Sequence, residues 1–262
     1  MAEYEEWPAG IPPWTYCMEI IKQSNLKIRL LPFFQSVVLY FLVARDEDGV
    51  MGAGAPEQIG IVWDVTLVRR AVVKMAPVSS LVFLLTLQLQ DSCHPQAVWY
   101  CRKICLGLFM SGIGDALLVW NYLAKGMVFF AIAHILYISA FTFKPLCIPL
   151  GFILFVCTAI YNSFLTPPED LKYLVPIYSM FLASMAWRGV ARARSGGQSG
   201  LASAVGSVSF LVSDMVLAYT MFNEPLEYGR IIVMSTYYFG QLCIALSAVD
   251  LARRPLAYDR DD

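Results

Sequence analysis

Eight stretches of the chain are apolar over lengths of 17 to 23 residues, and short polar or Gly/Pro-containing connections separate them. They cover residues 28–44, 71–89, 101–123, 126–143, 145–165, 171–190, 201–222 and 230–251. About 20 mostly apolar residues cross a hydrocarbon core, so the pattern predicts an all-α membrane protein, a bundle of about eight transmembrane helices. The connections at 124–126, 144 and 166–170 are short and force antiparallel neighbours. Two others are distinctive in composition: RDEDGVMGAGAPEQ after the first span and RARSGGQSG before the seventh. The expected division is a cytoplasmic N-terminal segment over 1–27, the eight-helix membrane domain over 28–251 and a cytoplasmic tail over 252–262.

Composition agrees: 58% hydrophobic residues against 15% charged lie far from the balance of an ordinary soluble domain. A formal charge of −1 gives no case for a nucleic-acid partner. The first 28 residues carry Glu3, Glu5, Glu6 and Glu19 and no continuous apolar run, so the first span, not a cleaved signal, is expected to direct insertion. With eight spans, twelve basic residues fall on the side of the termini and six opposite, which predicts cytoplasmic termini. Cys105, Cys147, Cys157 and Cys243 lie in apolar runs, where a thiol behaves as a small hydrophobe. Cys101 and Cys105 have helical spacing but no second Cys or His cluster accompanies them, so neither a metal, a cofactor nor a disulfide framework is expected.

Against this background two carboxylates stand out, Asp115 in LFMSGIGDALLVW and Asp214 in VSFLVSDMVLAY. A carboxylate in hydrocarbon costs about 2.5–3.5 kcal/mol on insertion scales, so its default reading is functional. Counted from the span ends facing away from the termini, each aspartate is eight residues in, about 12 Å at the helical rise. His134, Tyr178 and Tyr237 fall in the same layer, Gln241 slightly deeper and Lys74 nearer the outer end. His134, Tyr178, Tyr237 and Gln241 have two readings, as site residues or as side chains bonded to a neighbouring carbonyl. Lys74 either snorkels to the interface or faces the layer. For the aspartates the structural alternative is a buried ion pair or hydrogen bond, Asp115 with His134 or with Lys74.

A weak self-similarity runs at an offset of 99 residues: Pro77 with Pro176, Gly107 with Gly206, Asp115 with Asp214, and Leu118 with Leu217. A parallel duplication of four plus four helices explains it, and so do chance matches among abundant Leu, Gly and Ala.

Two neighbouring carboxyls in hydrocarbon do not both ionise cheaply, so the pair is expected to share one proton and to offer a general acid and a general base. Such a pair suits cleavage through an oxocarbenium ion, as in glycosides and vinyl ethers. There is no GxSxG, HExxH or Walker sequence to suggest another chemistry.

The ordered set SGIGDALLVW, AHILYISAF, LVSDMVLAY and VMSTYYFGQLCIALSA, with KMAP at Lys74 to Pro77 and YSMFLASMAW from Tyr178, resembles the YhhN-like family of multi-pass membrane proteins, whose animal members include lysoplasmalogenases. The resemblance spans most of residues 30–250. It departs at the acidic insert, the charged C-terminus, and Gly206-Ser207, where the family often has Gly-Ala. It implies hydrolysis of the vinyl ether bond of a lysoplasmalogen to a fatty aldehyde and glycerophosphocholine or glycerophosphoethanolamine, in the endoplasmic reticulum membrane. Asp115 and Asp214 would be the acid and base. Asp115 is favoured as acid, because His134 would orient it, over the reverse assignment. Lys74 would meet the lipid phosphate, and Trp120, Tyr219, Tyr237 or Tyr238 a choline group. The competing class is an ion-coupled transporter using the same aspartates as a proton relay or cation site.

Overall fold

The computed structural model describes residues 26–44, 64–91, 95–194 and 197–253, and these form eight helices and no strand. The helices are α1 Leu26–Ala44, α2 Val65–Asp91, α3 Pro95–Val119, α4 Leu123–Phe141, α5 Ile148–Ser163, α6 Leu174–Arg192, α7 Gly197–Phe222 and α8 Gly229–Arg253. The all-α bundle of about eight helices is therefore as expected. Six of them, α1, α2, α4, α6, α7 and α8, are long and apolar enough to cross a membrane; α5 is a shorter apolar helix, and α3 carries Arg102, Lys103 and Asp115. The chain is an integral membrane protein. The N-terminal segment up to residue 25, the whole acidic insert and the tail from residue 254 lie outside the described residues.

Helix α8 is the axis of the bundle. It packs on α7, α3 and α2, and between Cys243 and Val249 every residue is buried. Its contact with α7 depends on two glycines: a Cβ on Gly206 would lie 2.8 Å from the Gly240 carbonyl oxygen, and one on Gly240 would lie 2.9 Å from that of Gly206. Small residues let two backbones approach this closely, a recurrent device where lipid supplies no hydrophobic drive between helices. Outward-facing Phe83, Phe109 and Phe152 are more than half exposed and suit contact with lipid tails. Helix α5 packs chiefly on α6, and its Tyr161 hydroxyl donates to the Met215 carbonyl of α7.

Two local features correct the sequence boundaries. Helix α3 starts at Pro95, whose ring suits a first turn, and stops at Val119 where a span to 123 was expected. Asn121 takes a left-handed φ of 61°, the Tyr122 amide bonds the Leu117 carbonyl at 2.9 Å, and the Asn121 amide bonds that of Leu118 at 3.1 Å. This paired closure ends a helix whatever the hydropathy of the next residues.

At the other end of α4, fully buried Arg188 donates to the carbonyls of Thr142, Pro145 and Leu146 at 2.7, 2.8 and 3.1 Å. It satisfies backbone acceptors of the turn into α5 that would otherwise be orphaned.

The 99-residue offset does not produce equal helices. Pro77 lies in the middle of the 27-residue α2, whereas Pro176 lies in the first turn of the 19-residue α6.

Candidate active site

The SGIGD segment lies in the C-terminal half of α3, and close packing positions it: a Cβ on Gly114 would meet the Phe130 ring of α4 at 2.8 Å. Asp115 follows at once and is buried. Its Oδ2 accepts a hydrogen bond from the Tyr237 hydroxyl of α8 at 2.6 Å, and its Oδ1 lies 3.4 Å from Lys74 Nζ of α2. The Lys74 carbonyl in turn accepts from the Tyr238 hydroxyl at 2.9 Å, tying α2 to α8 beside the pair. Of the two partners considered for Asp115, the structure selects Lys74.

Asp214, on α7, meets a different set. Its Oδ2 accepts from the Tyr178 hydroxyl of α6, and His134 Nε2 of α4 is 3.1 Å from the same hydroxyl. With Tyr178 donating to the carboxylate, its oxygen is left to accept from the imidazole N–H. His134 is thus linked to Asp214 through Tyr178, which corrects the expectation that it orients Asp115. The ring is clamped edge-on by Phe210, centroids 5.0 Å apart.

Both aspartates, with Lys74, Tyr178 and Tyr237, line one cavity of about 820 Å³. Its other walls are mostly apolar, including Leu118, Met127, Phe130, Leu182, Leu211 and Val233. They extend to Arg70 near the start of α2, to Asn121 after α3, and to Pro168 and Asp170 between α5 and α6. The cavity therefore joins a carboxylate pair to an apolar chamber and to the polar outer end of the bundle. Its volume is within the range of sites that bind a small organic molecule.

The equal-depth argument does not survive in its original form. Asp115 is four residues from the end of α3 and Asp214 eight from the end of α7. Helix ends are set by their own caps and do not share a plane, yet the two side chains reach the same space. Gln241, expected in the polar layer, is fully buried but is not a wall of the cavity; its Oε1 accepts from the Tyr137 hydroxyl at 2.9 Å. Sequence reasoning passed over Tyr137, although its place three residues after His134 puts it on the same helical face. Of the aromatic residues expected at a choline group, only Tyr237 lines the cavity, and its hydroxyl is committed to Asp115.

Fold and site together define a membrane-embedded helical bundle with two aspartates lining one largely apolar cavity. The chain belongs to the YhhN family, whose profile matches residues 69–248. It is similar to the protein named lysoplasmalogenase TMEM86A of Bos taurus, 33% identical over 255 residues that cover 90% of this chain and 94% of that protein. It is also similar to lysoplasmalogenase TMEM86A of Homo sapiens, 32% identical over 252 residues covering 92% and 95% of the two chains. Lysoplasmalogenase TMEM86B of Sus scrofa is 35% identical over 221 residues, covering 83% and 85%. No solved structure matches the chain.

Proposed function

We propose that this protein is a membrane hydrolase that cleaves the vinyl ether bond of lysoplasmalogens, with Asp214 as general acid and Asp115 as general base. The observation that carries the chemistry is the opening of both carboxyl groups into one cavity under different partners. Full-length similarity to proteins named lysoplasmalogenases supports the substrate class.

The partners suggest the division of roles. Asp115 has an ammonium at 3.4 Å and a hydroxyl donor at 2.6 Å, so its anion is compensated where it stands. Asp214 has a tyrosine hydroxyl and no cation within ion-pair distance among the described residues, so a neutral carboxyl is its cheaper form. This reverses the assignment that the sequence favoured, for the reason that made it favoured: His134 stands on the Asp214 side.

In the resulting scheme, Asp214 delivers its proton to the vinyl carbon distal to oxygen, and the C=C electron pair forms the new C–H bond. The adjacent carbon and the ether oxygen share the positive charge, which the Asp115 anion stabilises. Water adds to that carbon while Asp115 takes its proton. Collapse of the hemiacetal transfers the proton from Asp115 to the departing glycerol oxygen and the hydroxyl proton to Asp214. Aldehyde leaves, and both carboxyl groups return to their starting states. Tyr178 and Tyr237 hold the two carboxyl groups in place, and Lys74 keeps Asp115 charged.

Location in the endoplasmic reticulum with both termini cytoplasmic accompanies this reading, supported by the excess of basic residues on the side of the termini. The test is to incubate purified protein with a lysoplasmalogen and with its saturated alkyl ether analogue. Aldehyde is expected from the vinyl ether alone; aldehyde from neither overturns the reading.

A further inference from the structure

We infer that Gln241 is a positioning residue for the reaction: its side-chain amide, held in one orientation by Tyr137, donates to the Tyr237 oxygen and so directs the Tyr237 proton onto Asp115. The inference rests on the reading of Asp115 as the anionic general base and adds the groups that stand behind it. Ser111, Tyr137 and Gln241 are fully buried, and none of them is a wall of the cavity. Ser111 lies four residues before Asp115 on α3, and Gln241 four after Tyr237 on α8. Residues at this spacing share a helical face. The two helices pack together and run in opposite directions, so both steps lead the same way, one turn deeper than the carboxylate. Tyr137 of α4 reaches this level as well. Gly107 leaves room for its ring, which any Cβ there would strike, and Phe141 stacks on it with centroids 6.5 Å apart.

The order of donors follows from the chemistry of the groups. An ionised carboxylate only accepts, so Tyr237 gives its proton to Asp115 at 2.6 Å and its oxygen is left to accept. Gln241 Oε1 also only accepts, and the Tyr137 hydroxyl supplies it at 2.9 Å. That bond leaves Gln241 Nε2, buried and with no acceptor of its own, beside the Tyr237 hydroxyl, on which Gln241 acts directly. The buried Ser111 Oγ likewise lacks a partner and stands by the Tyr137 hydroxyl, whose oxygen is left to accept from it. Every step therefore points one way, from Ser111 through Tyr137, Gln241 and Tyr237 to Asp115. A buried amide without an acceptor is costly, and this order relieves the cost only while Asp115 takes the Tyr237 proton. A protonated Asp115 would donate to the Tyr237 oxygen and compete with the amide for it. Chained hydrogen bonds polarise one another, so an amide outside the cavity strengthens the hold of Tyr237 on the carboxylate.

The experiment measures aldehyde release from a lysoplasmalogen by Gln241→Met and Tyr137→Phe, each in wild type and in a Tyr237→Phe background. Tyr137→Phe removes a single oxygen atom and serves where Gln241→Met does not fold. In wild type each is expected to lower kcat by roughly tenfold, the scale of one hydrogen bond, at unchanged KM, since neither residue lines the cavity. In Tyr237→Phe neither should lower kcat further, because the missing hydroxyl is what transmits the effect. Equal losses in both backgrounds, or an unchanged kcat in wild type, overturn the relay and leave the hydrolase reading intact. Infrared difference spectra of the same proteins give a readout without turnover, the Asp115 carboxylate band being the one that Asp115→Asn removes. Both variants should shift that band when Tyr237 is present and leave it in place in Tyr237→Phe. No aldehyde from wild type, together with that shift, overturns the hydrolase reading and leaves the relay. A band that neither variant moves overturns the relay whatever the turnover.

Discussion

Lys74 and Asp115 form an ion pair 3.4 Å across between α2 and α3, closed on its far side by the Tyr237 hydroxyl of α8. Two consecutive helices and a third far along the chain therefore meet at one carboxylate. Removing one member of such a pair strands the other. Lys74→Met is expected to destabilise the protein by about 3–5 kcal/mol, and the double variant Lys74→Met, Asp115→Asn should recover most of it. Thermal unfolding in detergent measures both; a double variant no more stable than the single one removes the pair from the account.

Asp115→Asn and Asp214→Asn keep the shape of each side chain and remove its ability to exchange a proton. Each is expected to lower aldehyde release by at least about 100-fold, the contribution of one positioned acid or base. The Asp214→Asn profile in size exclusion should match wild type, and Asp115→Asn, which strands Lys74, is compared with the double variant Lys74→Met, Asp115→Asn. Normal turnover in either variant excludes that aspartate from the reaction.

The two tyrosine hydroxyls hold different aspartates. Tyr178→Phe cuts the link from His134 to Asp214, and Tyr237→Phe leaves Asp115 with Lys74 as its remaining partner. Each substitution should cost about 1–2 kcal/mol of stability, the scale of one lost buried hydrogen bond. In kcat, His134→Phe combined with Tyr178→Phe should be no worse than Tyr178→Phe alone, since His134 acts through that hydroxyl. A further drop in the double variant gives His134 a separate role.

Close packing between α7 and α8 yields a contrast within one residue type. Gly206→Ala places a methyl group 2.8 Å from the Gly240 carbonyl oxygen, whereas at Gly112 the nearest atom, Met75 Cε, is 3.9 Å away. The first is expected to destabilise by about 1–3 kcal/mol, as overpacking does, and the second to be tolerated. Comparing their unfolding midpoints in detergent decides it.

Arg188 offers a test of the turn between α4 and α5. Arg188→Met removes three donors from the carbonyls of Thr142, Pro145 and Leu146. Destabilisation of several kcal/mol is expected, since each unsatisfied buried acceptor costs about 1–3 kcal/mol. Arg188→Lys should recover only part, because an ammonium lacks the planar fork. Full stability in Arg188→Lys would count against the three-carbonyl cap.

Hydropathy along the chain alone determined the class and the number of helices among the described residues, because the bilayer core demands apolar runs of a set length and closed backbone hydrogen bonding. It also exposed Asp115 and Asp214, since a carboxylate in such a run has an energetic cost that neighbouring residues do not hide. Helix ends were less legible: the closure at Asn121 depends on a left-handed dihedral angle that hydropathy does not encode. The allocation of partners was decided only in three dimensions. Depth along a helix says nothing about which face meets which neighbour, so Lys74 reaching Asp115, His134 reaching Tyr178 and Gln241 turning to Tyr137 all depend on how α2, α4, α6 and α8 pack. Residue type marked the two carboxyl groups as costly, and packing made them different from each other.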